Sequence, residues 1–121
     1  MSKAVCIRRA DAQPFAFGDL QIWRYEPGRE PTSSVALVQL KPGVSHGRAR
    51  STRSDQYCYV LSGLVEFEVG QISYWLTQGD LMIVPRGEWY DYRNTGPEPA
   101  SLLVIHTPSF RLDAEQFAAE E

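Results

Sequence analysis

Gly79-Asp80-Leu81-Met82-Ile83-Val84-Pro85-Arg86-Gly87-Glu88-Trp89-Tyr90-Asp91-Tyr92-Arg93-Asn94, residues 79–94, decides how this chain is read. Gly79-Asp80 is a turn signal, and the apolar run that follows is short enough for a single strand. Pro85-Arg86-Gly87 turns the chain again, because Pro presets φ and Gly accepts a positive φ. Residues 89–93 then read as a second strand, which Asn94 closes by bonding to local backbone. An earlier stretch, residues 43–63, is bracketed by Gly43 and Gly63 and belongs with the first.

The same rhythm continues outward. Residues 20–25, 35–40, 57–61, 64–69, 72–76 and 101–106 are strand-like runs, separated by Pro-, Gly- and Asn-containing turns. Short strands with turn signals every eight to twelve residues or so predict an all-β sandwich or barrel. The tail holds one helix candidate, with Asp113 capping residues 114–119 and Glu115 in the first turn, where the helix dipole favours a carboxylate. No internal repeat interrupts the pattern.

Bulk composition narrows the function classes. A chain of 121 residues with 43% hydrophobic content is one domain able to bury a real core. Twelve Lys and Arg against fifteen Asp and Glu leave a net charge of −3, which argues against nucleic acid as a partner. Arg48, Arg50 and Arg53 read as a solvated loop cluster. Two cysteines, Cys6 and Cys58, make no disulfide framework. The opening residues carry no long apolar run, and no stretch approaches the ~18 apolar residues of a membrane span, so no membrane partner and a reducing, cytoplasmic setting are expected.

Residues 79–94 resemble the second motif of the cupin family: a Gly, a spacer, Pro-x-Gly, a His, and a closing Asn. Tyr90 stands where the family places its metal-binding His. Laying the first family motif between Gly43 and Gly63 puts Ala49, Ser51 and Gln56 at its His, His and Glu positions. The resemblance implies a double-stranded β-helix, or jelly-roll, barrel. Residues 35–108 would form the conserved core, residues 1–34 N-terminal strands and a loop that join it, and residues 109–121 a tail. It also implies a homodimer, with outward Tyr57, Tyr59 and Trp75 compatible with a covered surface.

In that frame positions 49, 51, 56 and 90 point inward, and period-two alternation adds Cys58, Val60 and Tyr92. Ala36, Val38 and Leu40 should face in and Gln39 out. Val65, Phe67 and Val69 should face in, with Glu66 and Glu68 in solvent. A transition metal needs three or four His, carboxylate or Cys ligands, and Ala49, Ser51, Gln56 and Tyr90 do not supply them. No metal or other cofactor is therefore expected, unless His106, Cys58 and a carboxylate converge from different strands.

The candidate ligand-binding residues are Ala49, Ser51, Gln56, Cys58, Tyr90 and Tyr92; the candidate acid–base residues are Tyr90 and His106. Each has a plainer reading as well. Tyr90 could be a core tyrosine satisfied by Gln56, His106 a half-exposed strand end, Cys58 simple packing, and His46 a loop residue. The leading function is a metal-independent barrel that binds a small organic molecule. The alternatives are a metal-free isomerase or cyclase using Tyr90 or His106, and a metal-dependent dioxygenase or isomerase with atypical ligands. Phe67, Tyr74, Tyr90, Tyr92 and Met82 together could also fill the lumen.

Overall fold

The computed structural model describes residues 3–118. Within them the chain forms β1 (Gln13–Phe17), β2 (Leu20–Tyr25), β3 (Ser34–Leu40), β4 (Ala49–Ser51), β5 (Asp55–Ser62), β6 (Val65–Val69), β7 (Ile72–Leu76), β8 (Leu81–Val84), β9 (Tyr90–Asn94), β10 (Ala100–Thr107) and β11 (Glu115–Phe117). One sheet runs β1-β2-β3-β10-β5-β8, the other β11-β4-β9-β6-β7. Every pairing is antiparallel, and the two inner faces close on each other as a jelly-roll barrel. The all-β fold class therefore stands.

Alternation places the core. Along β10, inward Ala100, Leu102, Val104 and His106 are buried, while the residues between them are only half-buried. Val65 and Phe67 point in, and Glu68 faces solvent beside a half-buried Glu66 that pairs with Arg93 at 2.6 Å. Val38 and Leu40 are buried and Gln39 is not. Burying a Val, Leu or Phe side chain stabilises a fold by about 1.5–3 kcal/mol, so these alternating residues specify the register as well as filling space.

One end of the barrel is plugged and the other is open. Val60, Val65, Phe67 and Leu102 are fully buried at the plugged end, and Phe67 packs its ring 5.1 Å from that of Tyr92. Asn94 locks this end. Its Nδ2 donates to the Leu40 and Glu98 carbonyls (3.0 and 2.7 Å), and its Oδ1 accepts from Gly96 N–H (2.9 Å). Tyr74 does not help to fill the lumen, because its side chain is exposed on β7, and Met82 packs against the core from the flank.

Three strands were not anticipated, and the tail corrects the sequence reading. β1 contains Pro14, which the ladder tolerates because β1 is an edge strand. β4 is only three residues long. The expected C-terminal helix over residues 114–119 is instead a short 3-10 turn, Leu112–Ala114, leading into β11, with Ala119 outside the described residues. Asp113 does not cap: its carboxylate is taken by Arg111 at 2.8 Å. Backbone bonds from Thr52 N–H to the Ala114 carbonyl and from Ala118 N–H to the Arg48 carbonyl (both 2.9 Å) then draw the tail onto β4 as a strand.

Gly63 joins β5 to β6 with φ +90°, and a Cβ built there would lie 2.7 Å from the Cα and Cβ of Ala100. Gly63→Ala is expected to destabilise the fold by at least about 1–3 kcal/mol, since both φ and space forbid the methyl. Urea unfolding checks this, and an unchanged midpoint would contradict the packing described.

Candidate functional site

The open end of the barrel holds a cavity of about 300 Å³. Register explains which side chains reach it. In β10, His106 is directly opposite Ser34 of β3 and Gln56 of β5, so all three share the inner face. On the facing sheet Ala49 pairs with Tyr90, and β11 lays Phe117 against Ala49 and Glu115 against Ser51. Gln56, Tyr90, Tyr92, His106 and Glu115 thus converge on the cavity from four strands.

Much of the wall is aromatic. The rings of Phe17 and His46 stack at 5.0 Å, and His46 lies 5.2 Å from Tyr90 and 4.9 Å from Tyr92. Phe117 meets Phe17 at 5.5 Å, so β1 and β11 touch across the cavity. Phe110 packs edge-on against His106 at 5.1 Å. Such faces favour a flat ring among them over a flexible chain.

The sequence reading made His46 a loop residue. It does lie between strands, but its ring belongs to the cavity wall. Its backbone N–H bonds the Tyr92 carbonyl at 2.8 Å, and its Nδ1 sits 2.8 Å from the Gly47 carbonyl. A carbonyl only accepts, so Nδ1 carries the hydrogen and Nε2 is left as an acceptor. Burial pulls the pKa of His46 down, so the ring is neutral at pH 7.

The sequence candidates separate into two groups. Gln56, Tyr90, Tyr92 and His106 line the cavity, whereas Ala49, Ser51 and Cys58 are buried but off its wall. Ser51 Oγ accepts the N–H groups of Arg53 and Ser54 (3.2 and 2.9 Å) and so builds the turn into β5. The Cys58 thiol donates to Gln56 Oε1 at 3.3 Å, and burial raises its pKa, which leaves it inert. Tyr90 is likewise pushed up, chiefly by burial, with Glu115 adding to the shift and Gln56 opposing it. That shift keeps its hydroxyl protonated, in the form that can donate a hydrogen bond.

Sequence reasoning missed Glu115. Its side chain is 4% exposed, its Oε1 lies 3.8 Å from His106 Nε2, and its Oε2 is buried with no hydrogen-bond partner among the described residues. Burial raises the Glu115 carboxyl from its ordinary 4.5 to about 7. Burial, with the nearby His46 adding to it, lowers His106 from 6.5 to about 4. Desolvation outweighs attraction here, so the two meet as neutral groups rather than as an ion pair. The alternation Glu115-Gln116-Phe117 was the available signal, masked by the helix-like residues around it.

These features define a class: a jelly-roll barrel with a ligand-sized lumen and altered metal positions. The chain belongs to the cupin family, whose cupin-domain model matches residues 36–106. Among solved structures it is similar to a Streptomyces Pac13 variant with uridine, at 18% identity over 97% of this chain and 92% of that one, TM-score 0.84. Pac13 is described as a unique nucleoside dehydratase. The Lactobacillus farciminis oxalate decarboxylase formate complex aligns at 20% identity over 89% of this chain and 34% of that one, TM-score 0.77. The inner kinetochore subunit cnp3 of Schizosaccharomyces pombe is 26% identical over 77 residues, 64% of this chain, and the chain spans only 12% of that protein's length.

The fold family implies a metal, and the residues present do not fit one. Ala49 has no donor atom, Ser51 and Gln56 already accept internal hydrogen bonds, and Tyr90 keeps its proton. Among the described residues no group of three or more His, Cys, Asp or Glu side chains is placed to hold a metal ion. His106 does meet a carboxylate, but Cys58 does not join them.

The opposed shifts of Glu115 and His106 set the pH dependence of stability. Glu115 holds its proton more tightly when folded, so its contribution falls as pH rises from 4.5 to about 7. His106 holds its proton less tightly when folded, so its contribution rises with pH from about 4 to 6.5. The two slopes oppose each other across most of that window. Glu115→Gln is expected to expose rising stability with pH, and His106→Gln falling stability. Urea midpoints at several pH values check this, and parallel profiles in both variants would contradict the assignment.

Proposed function

We propose that this chain is a metal-independent cupin that binds a small, uncharged, ring-bearing organic molecule in its lumen. The observation that carries the reading is the cavity of about 300 Å³, with aromatic walls and neutral polar groups where the family's metal ligands would cluster. That volume lies at the lower end of the roughly 300–1,000 Å³ typical of small-molecule pockets. Phe17, His46, Tyr92 and Phe117 would flank the ring, while Tyr90 and Gln56 would hydrogen-bond a carbonyl or hydroxyl. A nucleoside is the first ligand class to try, because the similar barrel of the Pac13 variant was solved with uridine. A second reading, a metal-free enzyme, is favoured by the neutral pair of His106 and Glu115 at the cavity.

Uridine titrated into labelled protein should shift the amide signals of β9 and β10, and Tyr90→Phe should weaken its binding roughly tenfold, about the worth of one hydrogen bond. Elemental analysis of untagged protein accompanies the titration. One tightly held iron, manganese, zinc or nickel per chain would end the metal-independent reading.

The homodimer expectation rested on Tyr57, Tyr59 and Trp75, but Tyr57 is half-buried and Trp75 lies on the other sheet; we propose instead the outer face of β5 and β8, where Tyr59, Leu61, Leu81 and Ile83 are exposed. Sedimentation velocity of wild type and Ile83→Lys tests it. A dimer that the charge converts to monomer is expected, and a wild-type monomer at high concentration would refute the assignment.

A further inference from the structure

We propose that residues 112–117 are a removable wall of the lumen, a strap that swings away from the mouth, with the buried carboxyl of Glu115 as its latch. The chain is anchored just before the strap: Ser54 Oγ donates to the Pro108 carbonyl at 2.6 Å, and Phe110 N–H donates to Ser34 Oγ at 2.7 Å. Beyond that point the hold is light. β11 lies at the edge of its sheet and pairs with β4, itself three residues long. Thr52 donates to the Ala114 carbonyl from N–H at 2.9 Å and from Oγ1 at 3.0 Å. Ala118 N–H donates to the Arg48 carbonyl at 2.9 Å, and Arg50 Nε to Gln116 Oε1 at 2.6 Å. The side-chain bonds are exposed, so water replaces them readily. Toward the barrel the strap sets Glu115 and Phe117 on the cavity wall. Phe117 is 48% exposed and meets Phe17 of β1, another edge strand, at 5.5 Å. Few buried apolar contacts and exposed hydrogen bonds mark a segment that opens locally while the core stays shut.

Glu115 makes the strap releasable. Its side chain is 4% exposed, and Oε2 is buried without a partner among the described residues. Closing the strap therefore keeps dry a polar atom that opening returns to water. A neutral carboxyl tolerates this far better than a carboxylate, which needs a counter-charge. β10 offers His106, with Nε2 3.8 Å from Oε1. β9 offers Tyr90 and Tyr92, the loop before β4 His46, and β5 Gln56 with Cys58 off the wall behind it. The inward residues of β4, Ala49 and Ser51, do not titrate, and those of β1 are phenylalanines. Arg24 of β2, Glu26 and Glu30 of the loop after it, and Arg111 complete the charged groups of the cavity. The cations nearby are engaged: Arg24 with Glu26 at 3.5 Å, Arg111 with Asp113 at 2.8 Å, and Arg53 with the Ser109 carbonyl at 2.9 Å. Burial keeps both histidines neutral at pH 7.

The sign follows. Burial raises the Glu115 carboxyl from 4.5 to about 7, and an open strap returns it to water. Closure is fully favoured below pH 4.5, weakens as pH rises, and levels off above about 7, a change of about 300-fold in the opening equilibrium. His106 works in the opposite sense between about 4 and 6.5, to the extent that opening wets its ring. It stays on β10 against Phe110, 5.1 Å away. The opening stands apart from the binding reading; only its consequence, faster exchange of ligand at higher pH, rests on that reading.

The test needs no ligand, so it fails or succeeds independently of uridine binding. Amide hydrogen-exchange protection factors at Thr52 and Ala118, whose N–H groups tie the strap, are measured from pH 5 to 8, with Leu102 and Val104 as core references. In His106→Gln, which removes the opposing titration, protection at the ties should fall roughly 50-fold across that range, and by less in wild type. In Glu115→Gln/His106→Gln it should stay flat. Flat protection in His106→Gln, or a fall that survives in the double variant, would overturn the latch. An equal fall at Leu102 and Val104 would mean whole-barrel unfolding and overturn the strap. His46, the remaining histidine of these variants, lies on the cavity wall, so its modification by diethyl pyrocarbonate reads entry to the lumen. At pH 8 it should react at least about 10-fold faster in His106→Gln than in the double variant. Equal rates would mean that the tail frays without uncovering the cavity, which would overturn the removable wall.

Discussion

The register of β10 is the constraint on which the rest depends. This strand pairs with β3 on one side and β5 on the other, and its alternate residues are buried along its whole length. A slip by one residue would turn Leu102, Val104 and His106 outward together and bring Leu103 and Ile105 in. The hydrophobic pattern forbids that slip, and by forbidding it fixes His106 opposite Gln56 and Ser34. Core packing and site geometry are therefore one fact. The apolar residues that plug one end of the barrel also aim the polar residues at the other.

The lumen shows how a scaffold can outlast its usual site chemistry. Three of the four motif positions that would hold metal ligands have been absorbed into structure or neutral hydrogen bonding: Ala49 into packing, Ser51 into a turn, and Gln56 into a contact with the Cys58 thiol. Tyr90 is the fourth, and burial keeps its hydroxyl protonated. The acidic and basic groups that remain come from other positions than these four, at the end of β10, in the loop before β4, and in the tail. The tail carries Glu115 into the cavity only because β11 adds to the short edge that β4 presents.

How much of this was legible in the sequence follows from where each signal lies. Residues 72–76 and 81–84 match β7 and β8 residue for residue, because turn-forming Gly and Asp bound them and apolar residues fill them. Residues 89–94 carried the family resemblance and oriented Tyr90 and Tyr92 inward; Asn94, expected only to bond local backbone, is buried as well. β11 was illegible because three residues cannot display a period, and Asp113-Ala114-Glu115 has the composition of a helix start. The partnership of Arg111 with Asp113 and the waiting backbone of β4 decide the matter, and both are tertiary. His46 was illegible for a related reason: its place is set by a bond to the Tyr92 carbonyl, forty-six residues away in the chain. Burial alone did not separate wall from filler, since Cys58 and Tyr92 are equally buried and only one borders the cavity.

At the mouth Arg24 lies 3.5 Å from Glu26 and Arg111 2.8 Å from Asp113, Glu30 adds one more carboxylate, and the pair inside is neutral. Such a site projects little field into solvent. A phosphate or carboxylate entering it would lose its hydration and meet the guanidinium groups of Arg24 and Arg111, whose charge local carboxylates already oppose. Entry is then governed by shape and desolvation, so its rate should be nearly indifferent to ionic strength, unlike that of a barrel that gathers anions around a metal.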